Sequence, residues 1–341
     1  KYLKLCTVYS VSCNFSMVFV LFMKKNDAIA ILGYGVEGQA MVRYLLQKGF
    51  LHLTVCDKNA AVDLPAGVNG RLGDDYLNDL QNFDVIFRSP GIPYLREEFD
   101  SVRSRLTSVT RYFFEHCPCP IIGVTGTKGK GTTSTLIYLM LKKAGRDVYL
   151  GGNIGQPPVE FLDNLRSDSI VVLELSSFQL QDFDGSFSHV SPHVSPHVAV
   201  VLNIVNEHRD YHKSFMEYET AKLNIARWQK ADDFLILNRA YAADEKFSAG
   251  EFPARHIFID TSDHDSGYKG FIRADGMIVF DGHEILHRSE AGLIGAHNLE
   301  NILPAIAAAS CYDVPIHDIA SVLREFRGLP HRLELAGEWR G

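Results

Sequence analysis

An apolar strand that runs into a glycine- and lysine-rich turn, and from there into a helix, most constrains what this chain can fold into. Val124-Thr125-Gly126-Thr127-Lys128-Gly129-Lys130-Gly131-Thr132-Thr133 continues the strand-like run Ile121–Val124, and the pattern predicts a helix over Thr133–Lys143. Glycines in such a turn expose backbone N–H groups to phosphate oxygens. Lys130 brings a point charge to the β/γ end of a triphosphate, and Thr132 or Thr133 offers a hydroxyl to Mg²⁺. Gly126, Thr127, Lys128, Gly129, Lys130, Gly131 and Thr132 are therefore the candidate phosphate ligands. The strict phosphate loop needs Gly at Val124 and a hydroxyl at Gly131, so this one is a variant. A flexible Gly-Lys loop with no ligand is the competing reading, and the strand–loop–helix setting disfavours it.

The remaining chain supplies the matching architecture. Ala28–Leu32, Leu53–Cys56, Val85–Phe87, Ile121–Thr125, Asp147–Leu150, Ile170–Leu175, Val198–Ile204 and Phe234–Leu237 are short apolar runs that alternate with helical stretches. Buried parallel strands read this way, and the alternation predicts a doubly wound α/β fold. A Rossmann-like N-terminal domain over residues 26–118 is expected, then a larger phosphate-loop domain with a mostly parallel sheet over 119–328. The two prolines of His116-Cys117-Pro118-Cys119-Pro120 mark the boundary. Residues 329–341 are too few for a further domain, and residues 1–25 read as an extension outside the fold. Leu5 to Met23 carries no charge, yet no small-residue cleavage site precedes the ordinary cytosolic-looking start at Met23-Lys24-Lys25.

A second glycine turn, Gly33-Tyr34-Gly35-Val36-Glu37-Gly38, follows the first strand and opens a helix predicted over Gln39–Leu46. Gly33, Gly35, Val36, Glu37 and Gly38 could approach a pyrophosphate at a helix N-terminus, with Asp57 at the end of the next strand for a ribose or base edge. NAD satisfies this pattern, and so does any nucleotide diphosphate. Ser89-Pro90-Gly91 forms a rigid turn at another strand end, where doubly wound sheets bind ligands.

Glu174 ends an apolar run, where a carboxylate needs a cation or a partner. With a phosphate loop upstream, Mg²⁺ is the natural cation, and a structural salt bridge is the alternative. His208, in Asn203–Asp210 after another strand, is a metal or phosphate contact or simply a loop residue. Ser214-Phe215-Met216-Glu217 reads as a capping box, after which Phe215, Tyr218, Lys222 and Ile225 share one helix face. Lys222 on an inward stripe would have a depressed pKa. Its neutral amine could serve as a base or take up carbon dioxide as a carbamate; a lysine that snorkels outward is the alternative.

Composition sets the outer limits. Of 341 residues, 46% are hydrophobic and 22% charged, enough for two domains with separate cores, and the net charge of -7 gives no basic excess for nucleic acid or an anionic membrane. Six scattered cysteines read as reduced thiols, with only Cys117 and Cys119 close-set. His189, His193 and His197 recur at spacing four within a tandem His-Val-Ser-Pro, but the prolines forbid the helix that would gather them on a metal.

Taken together, these stretches resemble the Mur ligase family of ATP-dependent amide ligases. Gly151-Gly152-Asn153-Ile154-Gly155, Glu174-Leu175-Ser176-Ser177-Phe178-Gln179-Leu180, Gly295-Ala296-His297-Asn298-Leu299-Glu300-Asn301 and Gly328-Leu329-Pro330-His331-Arg332 add to the two loops and make the likeness specific. The resemblance covers the chain from about Asn26 to its end. It implies a cytoplasmic, monomeric enzyme of cell-wall synthesis that uses ATP and Mg²⁺ and joins D-glutamate to UDP-N-acetylmuramoyl-L-alanine, with no nucleic-acid or membrane partner. It also implies roles: Lys130, Glu174, His208 and Lys222 catalytic; Thr132, Glu174, Ser176, His208 and Lys222 around the metal; Asn298, Asn301 and Arg332 on the ATP. Asn153 and His208 would meet the muramoyl-alanine end, while the first glycine loop, Asp57 and Ser89-Pro90-Gly91 hold the UDP group.

Departures accompany the likeness. Gly131 stands where close members carry a hydroxyl, Pro304 should kink its helix, and the family's C-terminal domain, which binds D-glutamate, would follow Arg332. These residues are therefore expected to bind nucleotide without completing the ligation. Other Mur-type or folylpolyglutamate-type ligases, an NAD-dependent oxidoreductase and a non-catalytic nucleotide-binding module are the alternatives.

Overall fold

The computed structural model describes residues 23–94, 96–185, 194–205, 207, 211–248, 250–263, 267–293 and 295–329. His208, Arg332, the first 22 residues and His189 and His193 of the tandem repeat lie outside the described residues.

Two sheets form, each led by an apolar strand followed by a glycine turn. In the first, β1 (Ile29–Leu32), β2 (Leu53–Asp57), β3 (Asn69–Leu72), β4 (Val85–Arg88) and β5 (Leu106–Thr107) lie in the order β3-β2-β1-β4-β5, all parallel. Strand order reverses beside β1, so the glycine turn after β1 and the Ser89 turn after β4 share one crevice. The second sheet contains β6 (Ile121–Thr125), β7 (Val148–Gly152), β8 (Ile170–Glu174), β9 (Val198–Val201), β10 (Phe234–Asn238), β11 (Arg255–Asp263), β12 (Gly270–Ile272), β13 (Met277–Phe280) and β14 (His283–His287). Its order is β14-β13-β12-β11-β10-β9-β6-β8-β7. β13 is antiparallel to both neighbours, while the rest of the sheet is parallel.

The described residues form eight α-helices: α1 (Val36–Gln47), α2 (Val109–His116), α3 (Lys130–Lys143), α4 (Ser177–Leu180), α5 (Phe215–Leu223), α6 (Glu245–Ser248), α7 (Leu299–Ser310) and α8 (Ile316–Glu325). Two predicted helix starts were three residues late, at Gln39 against Val36 and at Thr133 against Lys130. Each helix opens inside its glycine turn, because Gly35 and Gly129 serve as N-caps. Pro304 does not end α7, which runs through it as one helix and packs against α3.

Each sheet has an apolar cluster of its own, around Leu32, Ile86 and Phe99 in the first and around Val124, Ile137 and Val200 in the second, and a further cluster is shared between them. The shared cluster joins Ile29, Met41 and Phe87 of the first sheet and its helix to Leu173, Ala199 and Leu235 of the second. α2 and the turn after β7 bridge them, with Phe113 edge-on to Phe161 at 5.7 Å between ring centroids. A buried ion pair reinforces the junction: Arg88, at the end of β4, meets Asp182, just beyond α4, at 2.5 Å with both side chains fully inaccessible. Among the described residues, no helix is long and apolar enough to cross a membrane.

Candidate nucleotide-phosphate site

The phosphate loop leaves the C-terminal end of β6 between β8 and β9. Register places Val124 beside Glu174 and Thr125 beside Val201, so three neighbouring strand ends deliver the loop, the carboxylate and the segment Leu202-Asn203 to one place. The loop is shaped by close approaches that only glycine tolerates. Gly126 has φ +146°, and an added Cβ would lie 2.6 Å from that of Leu202. Gly129 has φ +84°, and a Cβ there would fall 1.9 Å from Asn301 Oδ1.

Thr127 is consumed in holding this shape. Its N–H donates to Asn203 O at 3.0 Å. Its hydroxyl donates to Val205 O at 3.1 Å, accepts from Val205 N at 2.9 Å, and lies 3.1 Å from Tyr218 Oη. Thr133 Oγ1 donates to the Asn301 carbonyl at 3.3 Å, which leaves Thr132 as the hydroxyl residue of the first turn not tied to α7. Lys128 projects into solvent, with its nearest carboxylate at Glu207, 3.8 Å away.

Two lysines converge on this loop. Lys130 Nζ folds back to donate to Gly126 O at 3.2 Å and Thr127 O at 3.1 Å. Lys222 Nζ, 2% exposed, donates to the same Gly126 carbonyl at 2.8 Å and sits 4.6 Å above the Tyr218 ring. Burial, aided by the charge of Lys130 and opposed by Glu207 and Glu174, pulls the Lys222 pKa down to about 7. The inward stripe holds for Tyr218, Lys222 and Ile225, but Phe215 is 41% exposed. It stands in the first turn of α5, beyond the covered part of that face. The capping box is half-formed: Ser214 Oγ accepts from Glu217 N, while the Glu217 carboxylate accepts from Lys213 N instead of Ser214 N.

Glu174 is 4% exposed. Its Oε1 accepts from Asn153 Nδ2 at 3.2 Å, and the Asn153 N–H donates to Glu174 O at 2.9 Å. Among the described residues its Oε2 is buried with no hydrogen-bond partner, and an added Cβ on Gly131 would stand 3.1 Å from it. An orphaned carboxylate oxygen beside a phosphate loop fits a hard divalent cation. Among the described residues, no three His, Cys, Asp or Glu side chains form a metal cage. Mg²⁺ does not require one, since it retains waters and phosphate oxygens. Ser176 is less available than expected, because its Oγ caps α4, accepting from Gln179 N and donating to Gln179 Oε1.

The first glycine turn is built on the same logic. Gly33 has φ +86°, and Gly38 packs so closely that a Cβ would sit 2.2 Å from Gly33 O. Asp57 Oδ2 accepts from Tyr34 N at 2.6 Å and Oδ1 from Asn59 N at 2.8 Å, so this carboxylate ties the turn to the end of β2. Ser89 Oγ donates to Gly33 O at 3.0 Å, and Tyr211 Oη donates to Pro90 O at 3.0 Å. Gly35 and Val36 are exposed on the rim.

A polar link, unread in the sequence, connects the first glycine turn to the segment that follows β8. Gln179 Nε2 donates to Glu37 Oε1 at 2.6 Å while Gln179 Oε1 accepts from Ser176 N at 2.9 Å. Burial lifts the Glu37 carboxyl to about 7, partly offset by the Gln179 hydrogen bond. Asn298 and Asn301 are paired at 3.0 Å, and Asn301 lies against Gly129, which sets both beside the phosphate loop. Asn203, also unforeseen, donates to Glu300 at 2.6 Å and so clips the end of β9 to the start of α7. The signal for Arg88 was present: a charge on a buried strand, the same cue that singled out Glu174.

Comparison with known proteins agrees with this arrangement. The family profile described as "Mur ligase middle domain" matches residues 124–309, and "Mur ligase MurD-like, N-terminal domain" matches 27–110. The UDP-N-acetylmuramoylalanine--D-glutamate ligase of Acetivibrio thermocellus is 38% identical over 93% of this chain and 68% of its own length. That of Symbiobacterium thermophilum is 37% identical over 92% of this chain and 70% of its own. Among solved structures, the UDP-N-acetylmuramate:L-alanyl-gamma-D-glutamyl-meso-diaminopimelate ligase from Neisseria meningitides superposes with a TM-score of 0.57 at 19% identity, over 89% of this chain and 99% of that one, a likeness of fold. With both profiles matched in chain order and both glycine turns in place, the chain belongs to the Mur ligase family.

Proposed function

We propose that this protein ligates D-glutamate to UDP-N-acetylmuramoyl-L-alanine at the expense of ATP, a cytoplasmic step of peptidoglycan precursor synthesis, and that it works as a monomer. The observation that carries this reading is the meeting of Lys130, Lys222 and Glu174 around the Gly126 turn, an arrangement suited to phosphoryl transfer and unexplained by hydride transfer. Residues 26–118 would hold the UDP group at the crevice between β1 and β4. Residues 119–328 would hold ATP.

Carboxylate and amine do not condense at neutral pH without activation. In the proposed course, the substrate carboxylate attacks the ATP γ-phosphate, giving an acyl phosphate and ADP. The amine of D-glutamate then adds to the carbonyl, and phosphate departs. Lys130 leaves its carbonyl acceptors for the more strongly attracting phosphate oxygens and stabilises charge on them. Glu174 and Thr132 would hold Mg²⁺, which supplies further charge neutralisation. Lys222, largely free to lose its proton near pH 7, is set to react with carbon dioxide as the resemblance implies. Asn153, bonded to Glu174, would orient the muramoyl-alanine end.

The test is ligation by this chain and by the full product of its gene, with ADP release and product mass as readouts. Dependence on UDP-N-acetylmuramoyl-L-alanine, D-glutamate and ATP together supports the reading. Binding of NADH in preference to the UDP substrate, measured by calorimetry, would overturn it.

A further inference from the structure

The Cys117-Pro118-Cys119 segment lies outside the phosphate site, and nothing in the ligation uses it. Cys117 is the C-cap of α2, and Cys119 stands just ahead of β6. They occupy the connection through which the chain passes from the first sheet to the second. Their sulfurs are 3.6 Å apart, and Cys117 Sγ also lies 3.4 Å from Cys119 O. Both residues are half-buried and both are free thiols. No third His, Cys, Asp or Glu joins them in a metal-binding group among the described residues, so a thiophilic metal has too few ligands.

We propose that Cys117 and Cys119 are a reversible dithiol–disulfide site that takes low-molecular-weight disulfides as its oxidant. The contact polarises the pair: the hydrogen bond between the two sulfurs holds the Cys117 thiol below the ordinary range, and the same contact holds Cys119 above it. Cys117 is thus the attacking thiolate and Cys119 the resolving thiol. Cys117 Sγ attacks one sulfur of RSSR and expels RS⁻. Cys119 Sγ, losing its proton, then attacks Cys117 Sγ and expels the second thiolate. The protein loses two hydrogens and two RSH are formed. The other described thiols form an internal control, since burial pushes Cys56 to about 11 and Cys311 to about 12. Oxidation would fix the backbone that leads into β6 and the phosphate loop.

The whole chain is equilibrated with mixtures of reduced and oxidised glutathione, quenched by alkylation and mapped by peptide mass spectrometry. The expected result is an intramolecular Cys117–Cys119 disulfide, reversed by dithiothreitol, with Cys56 and Cys311 still reduced. Cys119→Ser should accumulate a glutathione adduct on Cys117, and Cys117→Ser should be oxidised about tenfold more slowly. A stable glutathione adduct on the unaltered protein, or oxidation of Cys117 no faster than Cys56, would overturn the assignment. The unaltered protein alone decides the matter should either variant fold poorly.

Discussion

Lys130 and Lys222 donate to a single acceptor, the carbonyl of Gly126, at 3.2 and 2.8 Å. Two amines held on one oxygen cannot both remain comfortably charged, and the buried one yields. The Lys222 pKa of about 7 lies below its unfolded value of 10.5, so between those limits the unfolded chain binds the extra proton. Stability should therefore rise with pH from about 7 to 10.5, and Lys222→Met should flatten that rise. Urea midpoints at pH 6.5 and 9.5 read the difference directly.

Removing Lys130 tests the other partner. Lys130→Ala should leave the fold intact, because its hydrogen bonds are replaceable by water, yet reduce ATP turnover by roughly 10²–10³-fold, as loss of a charge-stabilising donor does. Retention of full turnover in steady-state assays would remove Lys130 from the proposed chemistry.

Glu37 gives the opposite pH signature. Its carboxyl, lifted by burial from 4.5 to about 7, binds a proton in the folded state that the unfolded chain has already lost. Stability should fall as pH rises from 4.5 to about 7 and then level off. Glu37→Gln keeps the acceptor for Gln179 and should gain on the order of 3 kcal/mol at pH 8 relative to the parent. Denaturant titrations of both proteins at pH 5 and pH 8 provide the check.

Asp182 is the fully buried partner of Arg88. Asp182→Ala leaves a guanidinium without its counter-charge and should cost about 3–5 kcal/mol, whereas replacing both residues with apolar ones of similar volume should cost far less. Chemical denaturation of the single and double variants distinguishes these outcomes.

Gly129 carries a steric prediction. Gly129→Ala would bring a methyl group onto the Asn301 side chain at a backbone φ of +84° and should weaken ATP binding at least about tenfold. Calorimetric titration with a non-hydrolysable ATP analogue measures it.

Most of this was legible in the chain, for identifiable reasons. The strands around β1, β6, β8 and β9 are buried on both faces, so their sequences are uninterrupted apolar runs. The turns that follow carry glycines whose necessity is steric. By contrast, β3, with the sequence Asn-Gly-Arg-Leu, and β14, which begins with the exposed His283 and Glu284, were not anticipated, because such edge strands leave a weak hydrophobic signature, and β12 and β13 were missed as runs of only three and four residues. The partnerships of Glu37 with Gln179, Arg88 with Asp182 and Thr127 with Tyr218 were invisible for another reason. Each joins segments far apart in the chain, and each residue alone is consistent with many partners.

The phosphate loop takes its form from neighbours that come much later in the chain. Leu202 and Asn203 from the end of β9, and Asn301 from α7, wall the turn that begins at Gly126. During synthesis on the ribosome, residues 124–132 would emerge long before those walls exist. The nucleotide pocket is thus a late product of folding, acquired only when α7 docks against α3, and a nascent chain halted before residue 301 would carry the motif without the means to grip a phosphate.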